Sequence, residues 1–194
     1  MNTAILVIGK PGTPEEKLIP LNSIKTYLNV KGIGAVIPTD GPLPEHLLPV
    51  SISQHFDPSS LGSAMAWKEL SIVEWLQHLL DEKITTVNAE FDPTRSAPFA
   101  ERLLNILTRA WPSMSKGGMD AIVELLQPKA CIPTTMGLRT PQEAYFQTAH
   151  VFSDLPIVTF PSGTSVKGTL EKVLVALGVR KHVDLQIVFN RYGR

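Results

Sequence analysis

The stretch of sequence that decides the fold is KACIPTTMGLRTPQEAYF at residues 129–146, followed by VKGTLEKVLVALGVRKHVDLQIVFNR at residues 166–191. The first part contains two extended runs, residues 130–134 and 138–146, on either side of a turn, which is typical of a β-hairpin. The second part has apolar residues at helical spacing and is interrupted at Gly178, so it predicts two helices. We expect a hairpin joined to a helical pair.

Three helices are predicted upstream of this hairpin. Ser71 and Glu74 have the spacing of a capping box at the start of an apolar stripe of about three turns. Ser96 is a suitable N-cap for the second helix, which has a proline in its first turn. The third helix is expected to follow a pair of glycines and to end before Pro128. Between the first two helices, residues 81–95 are predicted to be a polar linker.

The remaining elements divide the chain into three predicted segments. A strand is expected at residues 5–8 and a short helix at residues 21–30, where Ile24, Tyr27 and Leu28 have helical spacing. Beyond that helix, several prolines keep the chain extended. The first segment, residues 1–60, is rich in proline and glycine and contains short strands. The second, residues 61–150, is a winged-helix-like helical core with its wing. The third, residues 151–194, contains a strand-like run at 155–160 and the helical pair at 165–177 and 181–191.

Three helices followed by two extended edges is the element order of a winged helix. The sequence therefore predicts an α+β protein, mostly helical, with a winged-helix-like core of three helices plus a β-wing and a C-terminal helical pair. An alternative that the pattern leaves open is a small helical domain with an irregular proline-rich loop.

Composition and charge argue against some classes of function, such as membrane-spanning proteins and strongly basic nucleic-acid binders. The chain has 194 residues with 18 basic and 18 acidic side chains. This balance argues against electrostatic binding of the whole chain to nucleic acid or to a membrane. Residues 129–194 are modestly basic, with eight basic and four acidic side chains. No apolar run is long enough for a membrane span, and no secretory signal is evident. We expect a cytoplasmic or nuclear protein.

Two short motifs match part of a phosphate-binding or catalytic pattern, but neither matches the whole pattern. In residues 9–13, Lys10 precedes the second glycine, so the phosphate-loop pattern is not met. Ser113 and Lys116 match Ser-x-x-Lys, but its companion motifs are absent. The five histidines are scattered, and Cys131, the single cysteine, is expected to be a buried apolar side chain. We therefore predict no catalytic residue, no cofactor and no metal.

Two binding functions remain to be compared. A winged-helix module that binds nucleic acid would present basic or amide side chains on its third helix. The third helix predicted here carries Asp120 and Glu124, which would repel phosphates, so a protein partner is favoured. The final predicted helix is apolar on more than one side, which suggests a contact surface. The predicted contact residues are Val183, Ile187, Phe189, Arg180 and Lys181.

The sequence also resembles a known family. The segments that carry the resemblance are ELSIVEWLQHLL (69–80), AERLLNILTRAWPS (100–113), the CIPTTMGLRTPQEAYF box (131–146) and the run from residue 155 to 191. They are similar to large fungal proteins of unknown function that look like distant relatives of sacsin. Those proteins carry a GHKL-type ATPase head, the fold shared by chaperone and histidine-kinase ATPases, and the match lies downstream of that head.

The resemblance implies a role beside an ATPase rather than ATPase activity. The Asp-x-Gly adenine box, the Glu/Asn helix and the glycine-rich lid of the head have no counterpart in this sequence. The family therefore implies a non-catalytic scaffold or coupling module of a chaperone-like assembly. Its partner would be another protein or the missing parts of a larger chain, of which this sequence would be a fragment.

Overall fold

The computed structural model describes residues 5–8, 17–149 and 152–183, and it divides the chain into two compact units. Unit 1 is Met1–His78 and unit 2 is Leu79–Arg194. Both units mix helices with short two-stranded sheets, so the α+β class is confirmed. The segment boundary predicted at residue 60 lies inside a helix of unit 1.

Unit 1 consists of short elements joined by irregular chain. Strands β1 (Ile5–Ile8) and β2 (Lys17–Pro20) pair antiparallel, and β3 (Thr26–Tyr27) pairs in parallel with β4 (Lys68–Glu69). The strand predicted at residues 5–8 is confirmed. The other elements are 3₁₀ turns at Leu21–Ser23 and Ile33–Val36 and the helices α1 (Val50–Ser53), α2 (Pro58–Met65) and α3 (Ile72–Leu79).

The helix predicted over residues 21–30 is wrong. After one 3₁₀ turn the chain becomes extended, because its backbone pairs with two distant segments. The Leu48 N–H donates to the Thr26 carbonyl at 2.9 Å, and the Leu70 N–H donates to the Tyr27 carbonyl at 2.8 Å. Ile24 and Tyr27 are nevertheless buried, in a cluster with Leu48 and Leu61. The spacing identified the core residues but not their backbone conformation.

Helix α3 begins with the predicted capping box. The Ser71 hydroxyl accepts from the Glu74 N–H at 3.2 Å, while the Glu74 carboxylate accepts from the Ser71 N–H at 3.0 Å. Two otherwise unpaired amides are satisfied in this way. The helix is eight residues long, shorter than predicted, and it buries Trp75 and Leu76.

The helices of unit 2 among the described residues are α4 (Glu82–Val87), α5 (Ala97–Ala110), α6 (Lys116–Leu126) and α7 (Thr169–Leu177), of which α5 is the longest. Its strands are β5 (Ile132–Thr134) and β6 (Gly137–Arg139), and its 3₁₀ turns are Ala89–Phe91, Trp111–Ser113, Pro141–Glu143 and Gln147–Ala149. The polar linker predicted at residues 81–95 is wrong, because α4 forms there with Asp81 as its N-cap.

Helix α5 is the centre of unit 2. The Ser96 hydroxyl accepts from the Phe99 N–H at 3.3 Å, so the predicted N-cap is confirmed. The helix contacts both α7 and β5. Its inner face is buried through Leu103, Leu104 and Leu107. Helix α6 begins earlier than predicted, because Ser115 is its N-cap and the glycine pair lies inside its first turn. It ends before Pro128, as predicted, and Ile122 and Leu126 are buried.

The predicted hairpin forms, but its second strand is short. Strands β5 and β6 pair antiparallel, and the Thr134 hydroxyl donates across the turn to the Gly137 carbonyl at 2.6 Å. Gly137 has a φ of 82°, which favours glycine. The second edge, predicted to reach residue 146, ends at Arg139, because a capping box between Thr140 and Glu143 starts a 3₁₀ turn.

Within the run predicted at residues 155–160, Ile157 and Val158 form β-bridges to two neighbours, whereas Leu155 lies in a bend. On one side the Thr135 N–H donates to the Ile157 carbonyl at 2.8 Å. On the other side the Val158 N–H donates to the Tyr145 carbonyl, also at 2.8 Å. This segment therefore ties the hairpin to the chain around Tyr145.

Helix α7 starts later than predicted and ends where predicted. Gly168, with a φ of 60°, is its N-cap, so residues 165–168 are not helical. Gly178, with a φ of 108°, ends the helix in the left-handed conformation that glycine accommodates at this position. The second helix, predicted over residues 181–191, is not present at residues 181–183, and its other residues lie outside the described part of the chain.

Candidate functional site

Unit 2 contains a groove of about 700 Å³ among the described residues. Its buried lining residues, which we call the floor, are apolar: Phe146, Ile157, Val158 and Phe160. Its exposed polar lining residues, which we call the walls, carry hydroxyl and amide groups: Thr135, Gln147, Thr148, Thr159, Thr164 and Ser165. We call this surface the groove.

One wall of the groove is a loop fixed by a buried carboxylate. The loop spans residues 161–168, and we call it the Ser162 loop. Glu101 of α5 is only 7% exposed, and its carboxylate accepts from the Ser162 N–H at 3.1 Å and from the Ser162 hydroxyl. Ser162 in turn accepts from the Thr164 N–H at 3.2 Å. Hydrogen bonding of this kind offsets the cost of burying a carboxylate.

The mouth of the groove carries a paired charge. The Lys181 ammonium lies 2.7 Å from a Glu171 carboxylate oxygen, and both side chains are about half exposed. The same ammonium lies 5.8 Å from the centre of the Phe146 ring. An exposed pair of this type contributes about 0–1 kcal/mol to stability, so its main effect is to balance the charge at the mouth.

A smaller concavity of about 380 Å³ lies next to the same segment. Its lining includes Arg139, Tyr145 and Arg180. The Arg180 guanidinium donates to the Tyr145 hydroxyl at 3.4 Å, and the Arg180 N–H donates to the Ala144 carbonyl at 2.9 Å. A hydrogen bond from the Thr140 hydroxyl, with a smaller contribution from nearby Arg139, lowers the pKa of Glu143.

Three of the five predicted contact residues lie in the described part of the chain. Lys181 lines the groove and Arg180 lines the smaller concavity, so the structure places them at two adjacent surfaces. Val183 instead packs against a buried cluster that includes Tyr145 and Leu155, where its side chain supports the fold. The other two predicted contacts, Ile187 and Phe189, lie outside the described residues.

The motifs with possible catalytic meaning are not gathered in the groove. Ser113 belongs to a 3₁₀ turn and Lys116 is the first residue of α6, and both are exposed. The glycine-rich residues 9–13 lie outside the described part. Over the described ranges, no three His, Cys, Asp or Glu side chains are grouped as a metal site would require. The same ranges include no helix with the length and hydropathy of a membrane span.

Sequence reasoning missed Glu101 and most of the groove. Glu101 lies on the apolar face of α5, next to Ala100 and one turn from Leu104, and a carboxylate at such a position is a signal for a buried polar contact. Most of the groove left no local signal, since its lining comes from six separate stretches of the chain.

Cys131 is buried, as the sequence predicts. It is 1% exposed, and its thiol contacts the Leu126 carbonyl oxygen at 3.8 Å. Burial raises the pKa of this thiol from 9.0 to about 12. Because the folded-state pKa is raised, the neutral thiol favours the folded state at low and neutral pH, and this contribution is lost as pH rises from about 9 to about 12.

We expect Cys131 to react with a thiol reagent at neutral pH roughly a hundredfold more slowly in the folded chain than in denaturant, because both access and thiolate formation are suppressed. The rates can be compared by mass spectrometry of the labelled chain. Equal rates in the two states would show that the chain just before β5 is exposed in solution.

Comparison with known proteins gives one family. A family model described as "Protein of unknown function (DUF3684)" matches residues 1–194. No curated protein and no solved structure shows significant similarity to the chain.

Proposed function

The chain belongs to the family described as proteins of unknown function DUF3684, and we propose that it is a non-catalytic contact module that binds a polypeptide segment in the groove of unit 2. The observation that carries this proposal is the lining of the groove. An apolar floor lies beneath walls of uncharged hydroxyl and amide groups, with a balanced charge pair at the mouth.

These features fit an extended polypeptide better than a charged small molecule. Protein interfaces combine a buried apolar centre with aromatic residues and a polar rim that supplies hydrogen bonds. The floor provides Phe146 and Phe160 as the apolar centre, and the walls provide hydroxyls for a peptide backbone. A phosphate or carboxylate ligand would instead favour unpaired cations, whereas Lys181 in the groove is paired with Glu171.

The resemblance to sacsin-like proteins suggests which assembly the bound segment would belong to. In such an assembly the module couples a partner, or another part of a larger chain, to a GHKL-type ATPase head. The adjacent positions of Arg180 and Lys181 support this proposal, because one short segment contributes to the groove and to the smaller concavity. We place this activity in the cytoplasm or nucleus.

The proposal can be tested by selecting binders from a library of linear peptides on the immobilised chain. Thr148→Trp, at an exposed position of the groove wall, should block the groove and weaken binding of selected peptides by at least about tenfold. Thr86→Trp places the same side chain at an exposed position of α4, outside the groove lining, and serves as the control. Peptides that bind both variants equally well, or a selection that enriches none, would contradict the proposal.

The winged-helix alternative makes a different prediction, which concerns α6. Asp120 and Glu124 are exposed on this helix, so it would bring negative charge to a phosphate backbone. We expect duplex DNA to bind no tighter than the non-specific range of roughly 10⁻⁴–10⁻⁶ M at physiological salt, as measured by fluorescence anisotropy.

The matched variant reverses the charge of α6. Asp120→Lys with Glu124→Lys should strengthen this weak binding without making it sequence-specific, because only phosphate contacts are added. Nanomolar binding by the unmodified chain that is lost when α6 residues are changed would support the nucleic-acid alternative instead.

A further inference from the structure

The Ser162 loop has the features of a movable wall. Apart from the half-buried Val166, its residues from Pro161 to Gly168 are exposed. Gly163 and Gly168 have positive φ values of 74° and 60°, and no heavy atom lies within 4 Å of the position that a Cβ would occupy at either residue. Both glycines can therefore change conformation without a collision at that position, and the loop has a hinge near each end.

Glu101 anchors the loop at Ser162, the residue immediately before the Gly163 hinge. One carboxylate oxygen accepts from the Ser162 N–H and the other accepts from the Ser162 hydroxyl, so one side chain of α5 engages both donors of one loop residue. The Ser162 and Thr164 hydroxyls, 2.6 Å apart, extend this network along the loop. Because Glu101 is buried, breaking the contact leaves a carboxylate without its partner, and the closed position is therefore favoured.

The anchored loop forms part of the groove. Gly163, Thr164, Ser165 and Val166 line one wall, while Ile157 and Phe160 lie on the floor. Movement of the loop away from α5 would change the width of the groove and uncover more of its floor. The state of the Glu101–Ser162 contact therefore determines how much of the groove is accessible.

We propose that the Glu101–Ser162 contact is a latch that holds the Ser162 loop closed against α5, and that a negative charge at residue 162 opens it. A carboxylate at this position would face the Glu101 carboxylate at hydrogen-bond distance, and like charges in a partly buried setting repel strongly. This device acts on the groove whatever occupies it, so it goes beyond the proposed function.

The test compares Ser162→Asp with Ser165→Asp in the full chain. Both variants add one negative charge to the same exposed loop, but only residue 162 contacts Glu101. Amide hydrogen exchange of residues 162–168 should become at least about tenfold faster in Ser162→Asp, as expected for loss of a hydrogen bond to a charged group. In Ser165→Asp it should stay within about twofold of the unmodified chain. Tryptic cleavage after the exposed Lys167 should follow the same order.

A milder variant separates the latch from general stability. Ser162→Ala removes only the hydroxyl donor and should give an intermediate acceleration of loop exchange, while exchange in α5 and α7 stays unchanged. Equal loop exchange in Ser162→Asp and Ser165→Asp would overturn the proposal. Amide exchange in α5 and α7 that accelerates as much as exchange in the loop would also overturn it, because the contact would then stabilise unit 2 as a whole.

Discussion

Phe160→Ala should lower the free energy of unfolding of unit 2 by about 3–5 kcal/mol, which is the usual cost of removing a buried phenyl ring and leaving a cavity. Phe160 is only 4% exposed and belongs to the floor of the groove. The change therefore removes apolar contacts beneath the proposed binding surface. Urea unfolding monitored by amide exchange in α5 measures the effect on unit 2.

The matched control is Phe56→Ala in unit 1. Phe56 is 52% exposed, so the same substitution removes a ring that is already largely in water and should cost less than about 1 kcal/mol. If Phe160→Ala also cost less than about 1 kcal/mol, the ring would not be part of a packed floor.

Leu107→Ala should destabilise unit 2 by about 2–5 kcal/mol, because the side chain is fully buried in the C-terminal half of α5 and its removal leaves a cavity. Helix α5 contacts both α7 and β5, which limits how far the surroundings can collapse into that cavity. We expect the midpoint of urea unfolding to fall without a change in the slope of the transition.

Arg109→Ala is the control for this prediction. Arg109 is exposed in the last turn of the same helix, where a cation interacts favourably with the helix dipole. Its removal should cost less than about 1 kcal/mol. Similar losses for the two variants would show that α5 is not the buried centre of unit 2.

Signals that act over a few residues predicted the structure well. The capping box at Ser71 and Glu74 and the N-cap at Ser96 form as expected, since a cap depends on the side chain and amides of one helical turn. Gly178 ends α7 for a similarly local reason. Helix α4 was missed although Asp81 caps it, because its sequence EKITTV has no apolar stripe.

Features that depend on distant parts of the chain could not be predicted in the same way. The spacing of Ile24, Tyr27 and Leu28 fits a helix, but pairing with the backbone of Leu48 and Leu70 makes this segment extended. The groove also depends on long-range pairing, because its floor is assembled from backbone segments that meet only in the folded unit. Lys181, predicted from the sequence as a contact residue, does line the groove, whereas the carboxylate of Glu101 on an apolar helix face was a sequence signal that the prediction did not use.

Binding of a polypeptide segment in the groove can be measured by amide NMR of the chain during titration with a peptide from the library selection. We expect the largest shift changes at groove residues, among them Thr135, Phe146, Thr148, Thr159 and Thr164. Thr148→Trp should suppress these changes, while Thr86→Trp should leave them intact. Shift changes confined to unit 1 or to α6, or unaffected by Thr148→Trp, would show that the peptide does not bind in the groove.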